Sequence, residues 1–193
     1  MPKKLRQPFI LASASPRRRD LLAEANYDFE VIVSDVDESA FNSCQNCPQE
    51  YAKKLAMAKA KDVAKKYPAR IVVGADTIAD FDGEIIGKAN THVHAKEITN
   101  KLFSKPHKVI TAIAIVCLAR EIEIVETDTT VVYPKKLTAE QIYSHIKSGR
   151  WKDKAGAYAI QENADEFIER IEGSVTNVMG FGMELFERMF KQL

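Results

Sequence analysis

The run Ser13-Ala14-Ser15-Pro16-Arg17-Arg18-Arg19 sets three successive guanidinium groups behind a turn of small residues. A short apolar stretch, Phe9 to Ala12, precedes it and a helical pattern through Ala25 follows, so the spacing predicts a strand, a turn and a helix N-terminus. Ser15 can cap that helix, and Pro16 suits its first position. Unpaired backbone N–H groups and the positive end of the helix dipole then converge on one spot, which suits phosphate. Arginine in a first turn works against the dipole, so helix stability does not account for Arg17 and Arg18. An oxyanion ligand does, because guanidinium presents paired planar donors that match phosphate oxygens. A solvated basic surface is the other reading of the same run.

Val72-Val73-Gly74-Ala75-Asp76-Thr77 puts a carboxylate at the end of a strand predicted to be buried, where a charge needs a reason such as metal binding or base catalysis. The plainer alternative is an aspartate that starts a turn. Asp35-Val36-Asp37-Glu38 also follows a strand, and oxygens from both segments could hold Mg²⁺ or Mn²⁺ with waters completing the shell; a solvated loop is the alternative. Lys88 after Gly87, and Lys154 in Asp153-Lys154-Ala155-Gly156, each adjoin a small residue that lets a ligand approach the backbone, although either alone is more commonly a surface lysine. His92 and His94 read as a helix entry and His145 lies on a helix, while His107 opens a strand, where it touches the site or caps an edge.

The elements that must position these groups are legible in outline. After the first strand and helix comes a strand at Phe29 to Val33, then a long amphipathic helix from about Pro48 to Tyr67 that Pro68 stops. Arg70 to Gly74 reads as a buried strand, and Asp82-Gly83 within Asp76 to Gly87 is a strong hairpin signal. A helix from about Val93 to Phe103 leads to two alternating runs, His107 to Leu118 and Glu121 to Tyr133, expected to pair antiparallel. A helix near Thr138 to Lys147, an irregular loop from Ser148 to Gly156, a strand near Phe167 to Ile171 and a C-terminal helix from about Met183 complete the pattern. No repeat, low-complexity segment or linker interrupts it, so one mixed α/β domain over residues 1–193 is expected.

At 193 residues the chain can bury roughly 70% of its unfolded surface without a disulfide or structural metal. Its 28 basic and 27 acidic residues nearly cancel, which gives no general attraction to nucleic acid, so any anion site must be local. Phe9 to Ala12 is too short for a signal peptide and no stretch is long enough to span a bilayer, so a cytoplasmic protein is expected. Three cysteines are an odd number: Cys117 falls in an apolar strand, and Cys44 and Cys47 read as exposed loop thiols rather than half of a zinc site.

Taken together, Leu11-Ala12-Ser13-Ala14-Ser15-Pro16-Arg17-Arg18, Val36-Asp37-Glu38, Leu55-Ala56 through Lys59-Ala60, Gly74-Ala75-Asp76-Thr77, Gly87-Lys88, Asp153 through Gln161, and Gly173-Ser174 with Asn177-Val178 resemble the Maf family of nucleotide pyrophosphatases, in order and over nearly the whole chain. The resemblance implies an α/β fold in which a mixed twisted sheet, flanked by helices, carries a deep cleft, as in Maf and ITPase-like proteins. It implies a hydrolase that splits a nucleoside triphosphate into monophosphate and pyrophosphate. Asp76 is then similar to the family's general base and, with Glu38, would hold a divalent cation, Mg²⁺ or Mn²⁺. Ser13, Ser15, Arg17, Arg18, Lys59, Lys88 and Lys154 would surround the triphosphate. Arg17, Thr77 and Gln161 fall at positions that mark the branch acting on dTTP and UTP, and an amide such as Gln161 can both donate to and accept from a uracil or thymine edge. A homodimer is the assembly the resemblance implies.

The chain also departs from the family pattern. Ala89 replaces the usual proline after Gly87-Lys88, Gly149-Arg150-Trp151 stands where Gly-Glu-Pro is usual, Glu162-Asn163-Ala164 replaces a glycine-rich stretch, and Met179 to Met183 differs from the usual leucine and proline. The exchange of an acid for Arg150 keeps open a nucleotide-binding regulator of cell division with little turnover. A house-cleaning pyrophosphatase for other modified nucleotides is the remaining alternative.

Overall fold

The computed structural model describes residues 7–41, 47–152, 154–158 and 167–193. The chain runs β1 (Phe9–Leu11), α1 (Pro16–Glu24), β2 (Phe29–Val31), a 3₁₀ turn at Glu38–Ala40, α2 (Pro48–Lys66), β3 (Val72–Phe81), β4 (Glu84–Ile86), α3 (His92–Leu102), β5 (His107–Cys117), β6 (Ile122–Pro134), α4 (Ala139–Ser148), β7 (Ile168–Glu172), α5 (Val175–Val178) and α6 (Met183–Phe190). Among the described residues the strands form one mixed sheet in the order β2-β1-β3-β5-β6-β7, with β4 paired to β3. The β1 strand is parallel to β2 and β3, whereas β3, β5, β6 and β7 are antiparallel in turn. The expected fold class, a mixed sheet flanked by helices, is thus what the chain adopts.

Alternation along the strands sorts the core into two faces. Val73, Ala75, Ile113 and Ile115 pack with Leu21 and Leu22 of α1 and Phe186 and Met189 of α6. Val72, Ile78, Ala112 and Ala114 pack with Ala52, Ala56, Ala60 and Val63 of α2, an i, i+4 stripe of small side chains that lets this helix lie close to the sheet. The contact is tightest at Gly74, where an added Cβ would stand 2.4 Å from the Ala56 carbonyl oxygen and 2.8 Å from the Ala60 nitrogen. Both neighbours are backbone, so they cannot yield by rotating a side chain. Gly74→Ala is therefore expected to force α2 off β3 and cost about 1–3 kcal/mol, read as a lower urea midpoint at unchanged m-value.

The largest revision concerns β3. The strand does not stop at Gly74 but runs on to Phe81, paired with β5 from Val72↔Val116 through Asp80↔Lys108. Asp76, opposite Ala112, is consequently in mid-strand, and the turn-starting reading of it is wrong. The chain turns at Asp82-Gly83 as expected, with both residues at positive φ (53° and 86°) as a two-residue hairpin requires. Cys47 is also not an exposed free thiol: it is half-buried beside the start of α2 and disulfide-bonded, while Cys44 lies outside the described residues. Cys117 is the buried free thiol its strand predicts. Among the described residues no helix is long and apolar enough to cross a membrane.

Candidate active site

A cleft of about 720 Å³ opens beyond the end of β1 and beside the middle of β3, and is lined by the Ala12–Arg18 turn, Glu38, Lys59, Asp76, Thr77, Lys88, Lys152, Lys154, Tyr158 and Met179-Gly180. Its residues come from widely separated parts of the chain. Because side chains alternate along β3, Asp76 and Thr77 face opposite sides of the sheet, Asp76 toward α2 and Thr77 toward α1.

Asp76 is only 6% exposed, and its Oδ1 accepts from the Lys59 ammonium at 2.7 Å. The same ammonium meets Glu38 Oε1 at 2.8 Å, so one buried lysine of α2 ties together the two expected metal ligands. Burial pushes the Asp76 carboxyl above its ordinary pKa, against the opposing pull of Lys59 and Arg18. Glu38 moves the other way: burial opposes its ionisation, but the Lys59 hydrogen bond and the charges of Lys59, Lys88 and Arg18 outweigh it and hold the carboxyl below its usual value. The rest of the acidic segment serves the backbone. Asp37 accepts from Ser39 N at 2.9 Å to cap the 3₁₀ turn, and Asp35 pairs with Lys66 at 2.8 Å.

On the α1 side, adjacent arginines take different parts. Arg18 is buried, donating from Nε to the Gly180 carbonyl (2.8 Å), from one terminal nitrogen to the Ala75 carbonyl (2.8 Å) and Ser13 Oγ (3.1 Å), and from the other to Thr77 Oγ1 (3.1 Å). Four of its five N–H donors are thereby spent on protein acceptors. Thr77 Oγ1 also lies 2.9 Å from Thr111 Oγ1 and 3.2 Å from the Gly180 carbonyl, so this hydroxyl is held by protein too. Ser13 Oγ accepts from both Arg18 and Ser15 N (3.2 Å), which leaves its own O–H to donate. Arg17 lines the cleft half-buried and, among the described residues, has no hydrogen-bond or ion-pair partner; burial lowers its pKa. Ser15 is the N-cap of α1, but its side chain makes no capping bond, and the first turn of that helix has no acidic residue. A helix end with no side-chain cap, no acid in its first turn and an arginine unpaired among the described residues is what an anion would complete.

Lys88 is brought in by the strand end after β4 and bridges antiparallel to Ala155, so Lys88 and Lys154, the two lysines that adjoin small residues, lie on adjoining backbone. Among the described residues Lys88 has no hydrogen-bond or ion-pair partner. The Lys154 ammonium instead turns back to the Arg150 carbonyl and, at 3.4 Å, the Lys152 carbonyl. Asp153 and Gln161 lie outside the described residues. Cleft residues that the sequence does not single out include Lys152, which no motif marks, and Tyr158, which stands inside the quoted Asp153 to Gln161 run. Among the described residues no three His, Cys, Asp or Glu side chains cluster as a metal site.

A family model described as Maf-like protein matches residues 8–193. The chain belongs to the Maf family. A dTTP/UTP pyrophosphatase of Geotalea uraniireducens is 45% identical over 171 residues, covering 89% of this chain and 87% of that protein. One from Elusimicrobium minutum is 42% identical over 183 residues, covering 95% and 97%. Among solved structures, the Staphylococcus aureus Ham1 protein aligns with a TM-score of 0.46 at 15% identity, over 67% of this chain and 73% of that one.

As a Maf family member the chain keeps its cleft despite its departures from the usual pattern. Arg150, standing where an acid is usual, is exposed and does not line the cleft. Trp151 beside it is buried, donating Nε1–H to the Ile146 carbonyl at 3.0 Å and meeting His92 edge-on, so it anchors the loop to α3 and α4. Ala89 is buried in the same cluster.

Proposed function

We propose that this chain hydrolyses dTTP and UTP to the nucleoside monophosphate and pyrophosphate, acting as one domain over residues 1–193. The observation that carries the reading is a buried carboxylate, Asp76, held by Lys59 in a cleft where the Arg17 and Lys88 side chains have no hydrogen-bond or ion-pair partner among the described residues. The relatives named dTTP/UTP pyrophosphatase, at 42–45% identity over most of the chain, supply the substrate class.

In this reading Asp76 takes a proton from water as the water oxygen bonds to the α-phosphorus. The bond from that phosphorus to the bridging oxygen breaks, and pyrophosphate leaves with the electron pair. Lys59 holds Asp76 in place, and its charge opposes the cost of burial. Arg17, Lys88 and Lys154 meet the charge that grows on the departing oxygens, and Ser13, Ser15 and the α1 N-terminus hold the remaining phosphate oxygens. Arg18 and Thr77 lock the turn against β3, and Gln161 reads the pyrimidine edge. Glu38 and Asp76 would hold Mg²⁺ or Mn²⁺, since two carboxylates sharing a cation with substrate phosphates suit these hard ions. When bound, such an ion neutralises phosphate charge and acidifies a coordinated water. A cytoplasmic location and a homodimer belong to the same reading.

The test is a panel of canonical and modified triphosphates with Mg²⁺, Mn²⁺ or no metal, scored for pyrophosphate against orthophosphate. Pyrophosphate is expected from dTTP and UTP in preference to purine nucleotides, and only with metal; Gln161→Ala should narrow the ratio of kcat/KM for UTP over GTP. Orthophosphate as the first product, or saturable binding without turnover under any metal, would defeat the proposal.

A further inference from the structure

The turn that carries Lys154 bends through a backbone conformation that is costly at one of its residues. Gly156 and Ala157 are both left-handed, at φ 73° and 57°, and the second has a Cβ and so resists this region. Two buried histidines from separate elements grip the turn just there. His145 of α4 has Nε2 2.8 Å from the Ala157 carbonyl, which can only accept, so that nitrogen carries the proton. His107, at the start of β5, has Nδ1 3.1 Å from the Leu102 carbonyl, which fixes its proton on Nδ1. Its Nε2 lies 2.6 Å from the Tyr158 hydroxyl. Burial pushes the His107 pKa down to about 4, so at neutral pH the ring is uncharged, Nε2 offers a lone pair, and the tyrosine must donate.

Ring and turn are packed as one body. A Cβ on Gly156 would stand 2.8 Å from Leu102 Cδ1 and 3.1 Å from the Tyr158 ring, so the ring and the last residue of α3 both pack closely against this glycine. The backbone closes the unit, with Ala157 N donating to the Lys154 carbonyl at 3.1 Å and Gly156 N to the Gly87 carbonyl at 3.1 Å, one residue before Lys88. Tyr158 lines the cleft; His107 is 3% exposed and does not.

We propose that His107 is a positioning residue: by accepting the Tyr158 hydroxyl it fixes the ring and, with His145, the Lys154–Tyr158 turn, and so sets where Lys154 meets the phosphates. This rests on the pyrophosphatase reading of the cleft. Tyr158→Phe keeps the ring and removes only the hydrogen bond. It is expected to raise KM for UTP about tenfold, with a smaller fall in kcat. In a Lys154→Ala background, itself weakened in KM, the same change should add less than about twofold, because the group being positioned is gone. Nitrogen chemical shifts should show His107 protonated on Nδ1 alone at pH 7. An unchanged KM in Tyr158→Phe, an equal effect in both backgrounds, or an Nε2–H tautomer would each overturn the positioning role. A wild-type KM in Lys154→Ala would instead defeat Lys154 as a phosphate ligand, and this inference with it.

Discussion

Asp76→Asn is expected to lower kcat for pyrophosphate release by about 10³-fold or more while the protein stays folded and still binds UTP. Asparagine fills the same space in mid-strand, and its side-chain carbonyl can still accept from Lys59, which also keeps Glu38 at 2.8 Å. What disappears is the basic oxygen. The natural carboxyl already bears the cost of burial, so a neutral replacement relieves desolvation as it removes an ion pair, and the unfolding midpoint should move little. Initial rates of pyrophosphate release, with binding followed by calorimetry and folding by circular dichroism, separate these effects. A purified variant with undiminished turnover would remove Asp76 from the chemistry.

Arg18→Lys should damage both fold and activity. An ammonium cannot reach the Gly180 and Ala75 carbonyls, Ser13 and Thr77 together, as the guanidinium does. Each buried acceptor left unpaired costs about 1–3 kcal/mol, so a total loss of about 3–5 kcal/mol is expected, together with a fall of about 10²-fold in kcat/KM as Ser13 and Thr77 lose their places. Its neighbour provides the contrast. Arg17→Lys should leave the urea midpoint nearly unchanged and raise KM for UTP, because Arg17 binds no protein group among the described residues. If the two variants behave alike in denaturation, the division of labour between these arginines is wrong.

That division was invisible in the sequence, where the arginines are equivalent neighbours in a basic run. Successive residues on a helix point about 100° apart, and which one meets Gly180 depends on a chain segment 162 residues away. The elements themselves were far more legible: the Asp82-Gly83 hairpin, the helix that Pro68 stops and the β5–β6 pair follow from turn chemistry and alternation, which are local. Read locally, the β-branched run ends at Gly74, which sets Asp76 at a strand end. Gly74 is there because α2 lies against it, and pairing with β5 carries the strand past it. His107 was left between two readings because its partner, Tyr158, is 51 residues on. Of the expected site residues, Ser13, Ser15, Arg17, Arg18, Glu38, Lys59, Asp76, Thr77, Lys88 and Lys154 line one cleft, while Gln161 is outside the described residues.

Since the walls of this cleft are drawn from Ala12 to Gly180, and buried Arg18 closes on the Gly180 carbonyl 162 residues away, the phosphate-facing turn is fixed only once the C-terminal segment has docked. That distant closure is costly in chain entropy and comes late, so affinity for a nucleotide emerges with the finished fold, and an incompletely folded chain gains little from the ligand.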